Sequence, residues 1–229
     1  MAKATAVIPK ELHPKTLTAS KKKGTLAKNT TLLQPIKRVY VTLKINSTAT
    51  MVQHQWSAKA KEAIRLKHAG KKTKNREIRD PEQEGKDATY LTQDGEFSIP
   101  AKALKSAIIS AAHKDIGIEK TLVRKHLFVM CDDPSGNLAM GAECAPPVIR
   151  EDHVRVGPGS MDLRYRPYFY KWSVIFTIEM DASGLQLEDL TTLVDRAGFG
   201  VGIGEMRPEK GGDCGRFRID ETFKVQVKG

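Results

Sequence analysis

The residues of this chain whose types could do chemistry are concentrated at 161–172, where five aromatic side chains alternate with three cations. Aromatics interleaved with cations suit single-stranded nucleic acids, because unpaired bases stack on rings while guanidinium groups hold phosphates. Trp172 keeps the period of the apolar strand that follows and is predicted to lie in the core. The predicted nucleic-acid contacts here are Arg164, Arg166 and Tyr168. The competing interpretation places half of these rings in the core.

A second unusual segment is 198–217, in which seven of twenty positions are glycine. It contains neither the dinucleotide-binding pattern G-x-G-x-x-G nor the phosphate-loop pattern G-x-x-x-x-G-K-[ST]. Two interpretations stay open. The loop either cradles a sugar-phosphate backbone with amides and cations, or it is a helix C-cap followed by a long hairpin turn. The first interpretation predicts contacts at Gly202, Gly204, Arg207, Lys210 and Arg216.

The titratable residues form no patterned catalytic set. His54, His113 and His153 could act as general bases, but each lacks a partner at a typical spacing, so ordinary surface or core histidines are the favoured interpretation. Three cysteines without a C-x-x-C pair give neither a disulfide framework nor a zinc-ligand set. The sequence therefore predicts no metal and no cofactor.

Positive charge is concentrated in two segments of a chain whose net charge is +11. Residues 1–38 carry a net +8 and residues 58–79 a net +7, so the remainder sums to −4. Clustered cations gain free energy from counterion release on a phosphate backbone, whereas the alternative is a solvated, solubilising surface. The predicted polyanion contacts are Lys21, Lys22 and Lys23 in the first segment and Lys71, Lys72, Lys74 and Arg76 in the second.

Length and composition suit one globular domain with additions: 229 residues, 40% hydrophobic and 28% charged. No apolar stretch approaches the roughly 18 residues of a membrane span, and the N-terminus has no apolar signal region. A cytoplasmic protein without membrane contact is expected.

The N-terminal half is predicted to alternate polar segments with short elements. Residues 1–35 should form a basic extended arm, and 39–45 alternate as a strand. Ser57 should cap a helix that runs through Lys67, and 70–87 should be a mobile insertion because it has almost no apolar content. A hairpin is expected over 88–99.

The rest of the chain is more regular. Pro100 should start a helix with an apolar stripe, and strands are expected at 126–131, 137–143, 148–156 and 172–180. Leu187 begins a helical period that Gly198 should stop, and two short strands should follow. The predicted fold is α+β: a ferredoxin-like or RNA-recognition-motif-like antiparallel sheet with helices on one face. It comprises 36–229, with a basic insertion at about 55–87.

The segment 97–112, FSIPAKALKSAIISAA, resembles the "IPGSSLKGALRSA" helix start of the repeat-associated mysterious protein (RAMP) superfamily, which includes backbone subunits of CRISPR effector complexes. The glycine-rich loop also stands where RAMP proteins carry theirs. Ala101 and Ser106 depart from the small or glycine positions of the motif, and no second RNA-recognition-like half is evident. Lys102 and Lys105, away from the centre of the apolar stripe, join the predicted contacts. LRYRP at 163–167 and GEMRPEKGG at 204–212 further resemble a family of phage-encoded proteins.

The resemblance implies a single-domain backbone subunit from a phage or CRISPR-type system, without enzymatic activity. Such a protein would bind single-stranded DNA or RNA independently of sequence and polymerise as a filament along the strand. The arm and the basic insertion would contact nucleic acid or a neighbouring subunit. Two alternatives remain: a metal-independent RAMP-like endoribonuclease that uses a histidine, and an interaction or decoy subunit of a host nucleoprotein complex.

Overall fold

The computed structural model describes residues 35–71, 79–113, 116–155 and 157–229 of the chain. The predicted contacts Lys21, Lys22, Lys23, Lys72, Lys74 and Arg76 lie outside these residues, as does the arm apart from Pro35. In chain order the elements are β1 (Arg38–Ser47), β2 (Met51–Val52), α1 (Ala58–His68), α2 (Pro81–Asp87), β3 (Ser98–Pro100), α3 (Ala101–Ala111), α4 (Lys120–His126), β4 (Leu127–Val129), β5 (Asn137–Ala139), β6 (Val148–Arg155), β7 (Met161–Phe169), β8 (Ser173–Asp181), α5 (Leu187–Arg196), β9 (Phe217–Ile219) and β10 (Gln226–Lys228).

Strand β1 is the centre of the main sheet. Its alternating residues Val41, Leu43 and Ile45 are completely buried, as expected for a strand that covers a core on one face. It pairs antiparallel with β8 on one side and with β9 and β10 on the other, and β8 pairs antiparallel with β4. On the opposite face of the sheet, Tyr40 and Ile175 are exposed.

The order of elements and strands defines the ferredoxin-like plan. Helix α3 lies between β1 and β4 in the chain, and α5 lies between β8 and β9. The spatial order runs from β9 and β10 through β1 and β8 to β4, all antiparallel. Leu104 of α3 and Leu190 of α5 share one buried cluster with the inner face of β1. The predicted α+β fold with helices on one face of an antiparallel sheet is therefore confirmed.

Two smaller sheets are added to this plan. Strands β2, β7 and β6 form a three-stranded antiparallel sheet, and β3 pairs with β5. Helix α2 packs against β7 and β6. Asp80 caps its first turn, and Arg79 joins Glu84 at 2.7 Å to Asp162 of β7 at 2.9 Å. The prediction of a mobile insertion is wrong for 79–87, because this segment is anchored by a cap and by ion pairs.

One local prediction is confirmed and another needs correction. The expected hairpin over 88–99 forms: Thr92 N–H donates to Glu96 at 2.9 Å, Ser98 N–H donates to Tyr90 at 3.0 Å, and Leu91 bridges Phe97. Residues 98–100 also pair with β5. Gly198 does not stop the helix. The chain continues in a π-helical turn (Ala197–Val201) and leaves it at Gly202, whose φ is 74°. Gly198 is instead required because a side chain there would collide with the Phe217 carbonyl.

The described residues contain neither a membrane-spanning helix nor a metal-binding cluster. None of their helices is long and apolar enough to cross a bilayer. Across the same ranges, no group of three or more histidine, cysteine or acidic side chains is arranged to hold a metal ion.

Candidate nucleic-acid interface

Helix α1 is capped at both ends. Ser57 accepts a hydrogen bond from the Ala60 amide at 3.1 Å, as an N-cap does. At the other end Lys71 N–H donates to Leu66 and Gly70 N–H to Lys67, with Gly70 at φ 68°, which is the Schellman arrangement. No residue of the helix is buried. An 11-residue helix is marginal by itself, and these caps stabilise it.

The surface of α1 is strongly basic. From Trp56 to Lys71 the chain has five Lys or Arg residues and the single acid Glu62, a net +4. Basic residues fill the last turn, where they also stabilise the helix dipole. Trp56 precedes the N-cap and is 58% exposed. A hydrophobic residue at this position commonly packs against the fourth helical residue, but that residue is Lys61, so the indole faces solvent beside the cations.

A cleft of about 180 Å³ opens beside the start of this helix. One wall is the end of β2 with Gln53 and His54, and the other is the glycine-rich loop from Ile203 to Arg207. Its apolar floor comes from the start of α3, where Ile99, Pro100 and Ala103 lie. The two segments that resemble the RAMP pattern therefore meet at this cleft. Only two residues separate His54 from Ser57, so the cleft adjoins α1 within about 10 Å of chain.

The position of the proton on His54 follows from its neighbour Arg164. The Arg164 Nη1 atom lies 3.0 Å from His54 Nε2, and a guanidinium can only donate, so Nε2 accepts. Burial and the positive charges of Arg164 and Arg166 lower the pKa of His54 from its ordinary 6.5. The imidazole is therefore neutral at pH 7 and carries its proton on Nδ1. That atom is buried and has no partner among the described residues.

Two further polar side chains face the cleft. Burial, together with the negative charge of Glu205, raises the pKa of the Tyr90 hydroxyl. The Glu205 side chain is exposed, and its amide donates to Val52 at 2.8 Å. In the described ranges the Glu205 carboxylate has no hydrogen bond or ion pair. Gln53, by contrast, is fully engaged: its amide donates to Ser98 and accepts from Tyr90 N–H.

The glycine-rich loop directs most of its hydrogen bonds into the protein. The amides of Gly202, Ile203 and Glu205 donate to Ala197, Gly215 and Val52. Arg207 donates to Glu209 from Nε and Nη2 and to the Gly204 carbonyl from Nη1. The interpretation of the loop as a structural turn therefore accounts for Gly202 and Arg207. Gly204 lines the cleft. Its φ of 85° and the nearby Val52 carbonyl, with which a side chain would collide, require glycine at this position.

Arg166 and Tyr168 lie inside the protein and do not face solvent. They are 6% and 5% exposed. The Tyr168 hydroxyl donates to Asp152 at 2.7 Å, Arg166 lies 3.6 Å from the same carboxylate, and Arg150 stands 4.4 Å above the tyrosine ring. This packing removes Tyr168 from base stacking and commits Arg166 to Asp152. The expectation that these two residues meet a nucleic acid at the surface is corrected accordingly. Trp172 lies in the core as predicted.

The remaining predicted contacts are scattered. Lys71 is exposed at the end of α1, Lys102 is exposed on the first turn of α3, and Lys210 is exposed in a 3-10 turn. Lys105 extends over the Phe128 ring at 4.0 Å, on the edge of the main sheet. Arg216 has a buried Nε without a partner in the described part of the chain. Lys71 follows the C-terminal end of α1, Gly204 and Arg207 line the cleft, and Arg164 contacts the lining residue His54.

Sequence reasoning missed Trp56, Tyr90 and Glu205. No motif in the sequence marks any of the three as a contact. Only the fold brings Tyr90 and Glu205 close to the end of β2. Trp56 had one usable signal, its place directly before the N-cap Ser57 without an apolar partner in the next turn.

Comparison with known proteins gives a distant structural likeness. No family model and no curated protein matches the chain. Among solved structures it matches the cryo-EM structure of the type III-B Cmr-beta bound to cognate target RNA, at 12% identity and a TM-score of 0.40. The match covers 83% of this chain and 61% of that chain, so this chain spans about three fifths of the neighbour's length. The RAMP resemblance and an origin in a phage or CRISPR-type system stay predictions.

Proposed function

We propose that the protein binds single-stranded nucleic acid along α1 and in the adjoining cleft. The observation that carries this proposal is a basic helix with no buried residue, capped at both ends, with an exposed indole at its start. Cations that track a backbone and an aromatic ring that stacks bases are the two parts of sequence-tolerant single-strand binding. A helix that served only the core would carry an apolar stripe.

Binding without cleavage is part of the proposal. A general base needs a free lone pair, whereas His54 has one nitrogen that accepts from Arg164 and another that carries the proton. This arrangement argues against His54 as the general base of a ribonuclease. The proposal also includes assembly of several copies along one strand. The titration decides whether that strand is RNA or DNA.

The test is a titration of fluorescent single-stranded 20-mers at several salt concentrations. Replacing Lys61, Arg65 and Lys67 together with glutamine removes three phosphate contacts. We expect affinity to fall at least about tenfold, and the slope of log K against log salt to become shallower by about 2, since each contact contributes about 0.7 on single strands.

The matched control is the same charge change on α4, at exposed Lys120, Arg124 and Lys125. If both triple variants lose affinity equally, attraction is diffuse and the interface is not α1. Light scattering on strands of increasing length tests assembly, and a denaturing gel of the recovered strand tests cleavage. Shortened strands would overturn the proposal of binding alone.

A further inference from the structure

The cleft beside α1 has too little free positive charge to hold a phosphate. Arg207 is its one lining cation, and its three guanidinium nitrogens already donate to Glu209 and the Gly204 carbonyl. The unpaired carboxylate of Glu205 lines the same space and would repel a phosphate. A strand that lies along α1 must therefore place something other than its backbone here.

The groups that remain match the hydrogen-bonding edge of a base. His54 Nδ1–H is buried and closed to a ligand, so the polar groups that a base can meet here are on Glu205 and Tyr90. Glu205 offers an acceptor with no partner in the described chain, and Tyr90 offers a hydroxyl. Ile99, Pro100 and Ala103 give the flat face of a ring an apolar surface.

The size of the cleft sets how much of a strand it can take. About 180 Å³ is smaller than the roughly 300–1,000 Å³ of sites for drug-sized ligands. It suits one unstacked heterocycle, which is how proteins read bases in single strands.

We propose that this cleft receives one nucleobase of the bound strand and selects bases with an exocyclic amino group, which donates to the Glu205 carboxylate. The inference rests on the proposed function, since the base arrives on a strand held by α1. Cytosine offers its N4 amino group to Glu205, whereas uracil offers the O4 carbonyl there, which the carboxylate repels. Base choice at this one position adds to backbone contacts that do not depend on sequence.

The test compares oligo(rC) with oligo(rU) 12-mers at pH 7.5 and moderate salt, because the two pyrimidine rings have the same size and differ mainly at that edge. Wild-type protein is expected to bind oligo(rC) about tenfold more tightly, within the range of one good base contact. Glu205→Gln should reduce the preference to less than about twofold, because an amide both donates and accepts. Glu221→Gln, the same charge change at an exposed site outside the cleft, should keep the preference.

Each result decides a different point. Equal binding of both strands by wild-type protein overturns the base pocket and leaves the proposed function standing. A preference that survives in Glu205→Gln places base reading elsewhere and also overturns it. Binding of neither strand removes the proposed function and the pocket together. A preference lost in Glu205→Gln and kept in Glu221→Gln supports the pocket.

Discussion

The folded environment of His54 makes the free energy of unfolding depend on pH. Burial, and then the charges of Arg164 and Arg166, hold its pKa below 6.5 in the native protein. As the pH falls below 6.5, the unfolded chain binds a proton at this site that the native chain does not, so the free energy of unfolding must decrease. The loss ends below the native pKa, where both states are protonated.

The expected result is that His54→Gln flattens the dependence of unfolding free energy on pH between 7 and 5, measured by urea denaturation. Exposed His153→Gln on β6 is the control and should follow the wild-type curve. A His54→Gln curve parallel to wild type would mean that His54 is solvated like an unfolded histidine, and the assignment of its proton to Nδ1 would fail with it.

Residue patterns predicted burial well on one strand and poorly on another. Alternation identified Val41, Leu43 and Ile45 because β1 has one covered face. It failed at the end of β7, where residues 166–169 are all buried. Phe169 meets Phe97 on one side, while Tyr168 and Arg166 meet Asp152 of β6 on the other. Alternation cannot indicate which polar or aromatic residues remain exposed where both faces of a strand are covered.

At the scale of elements, helices were predictable where an N-cap residue or a helical spacing of apolar residues marks them in the sequence. Ser57 and the stripe of α3 located two helices. Helix α2 was missed because its composition is almost wholly polar, although Asp80 followed by Pro81 is a start signal for a helix. What fixes α2 is remote: Arg79 reaches Asp162, and Gly85 lets the helix approach Ile149. Contacts across more than 60 residues leave no local pattern.

The caps of α1 give the element-scale prediction. Ser57→Ala removes the N-cap acceptor and Gly70→Ala places a side chain at φ 68°, each at a cost of about 1 kcal/mol to the helix. Because α1 contributes no buried residue, we expect faster amide hydrogen exchange over 58–68 and weaker strand binding, while the global unfolding free energy stays unchanged. Asp80→Ala, which removes the equivalent cap from α2, should leave binding unchanged. Unaltered binding by a frayed α1 would show that its helical form does not matter to the interface.

At the scale of the whole molecule, the described core and sheets are formed by residues 35–229. All described elements begin at Arg38 or later, and 35–229 form one compact unit. Of the net +11, the first 34 residues carry +6 and the rest +5. Folding and long-range attraction are therefore expected to depend on different parts of the chain, because the described core lies in 35–229 and more than half of the net charge lies in 1–34.

A fragment of 35–229 tests this separation. It should unfold with the free energy of the full chain to within about 1 kcal/mol, a typical effect of a single substitution, because the buried cluster is intact. If the N-terminal segment contacts phosphates, the fragment binds short strands more weakly with a shallower salt slope, and replacing Lys21, Lys22 and Lys23 with glutamine reproduces part of that change. If the segment contacts a neighbouring copy instead, binding to short strands is retained and only assembly on long strands is lost in light scattering. A fragment that fails to fold would contradict the separation, because it would place part of the core before Pro35.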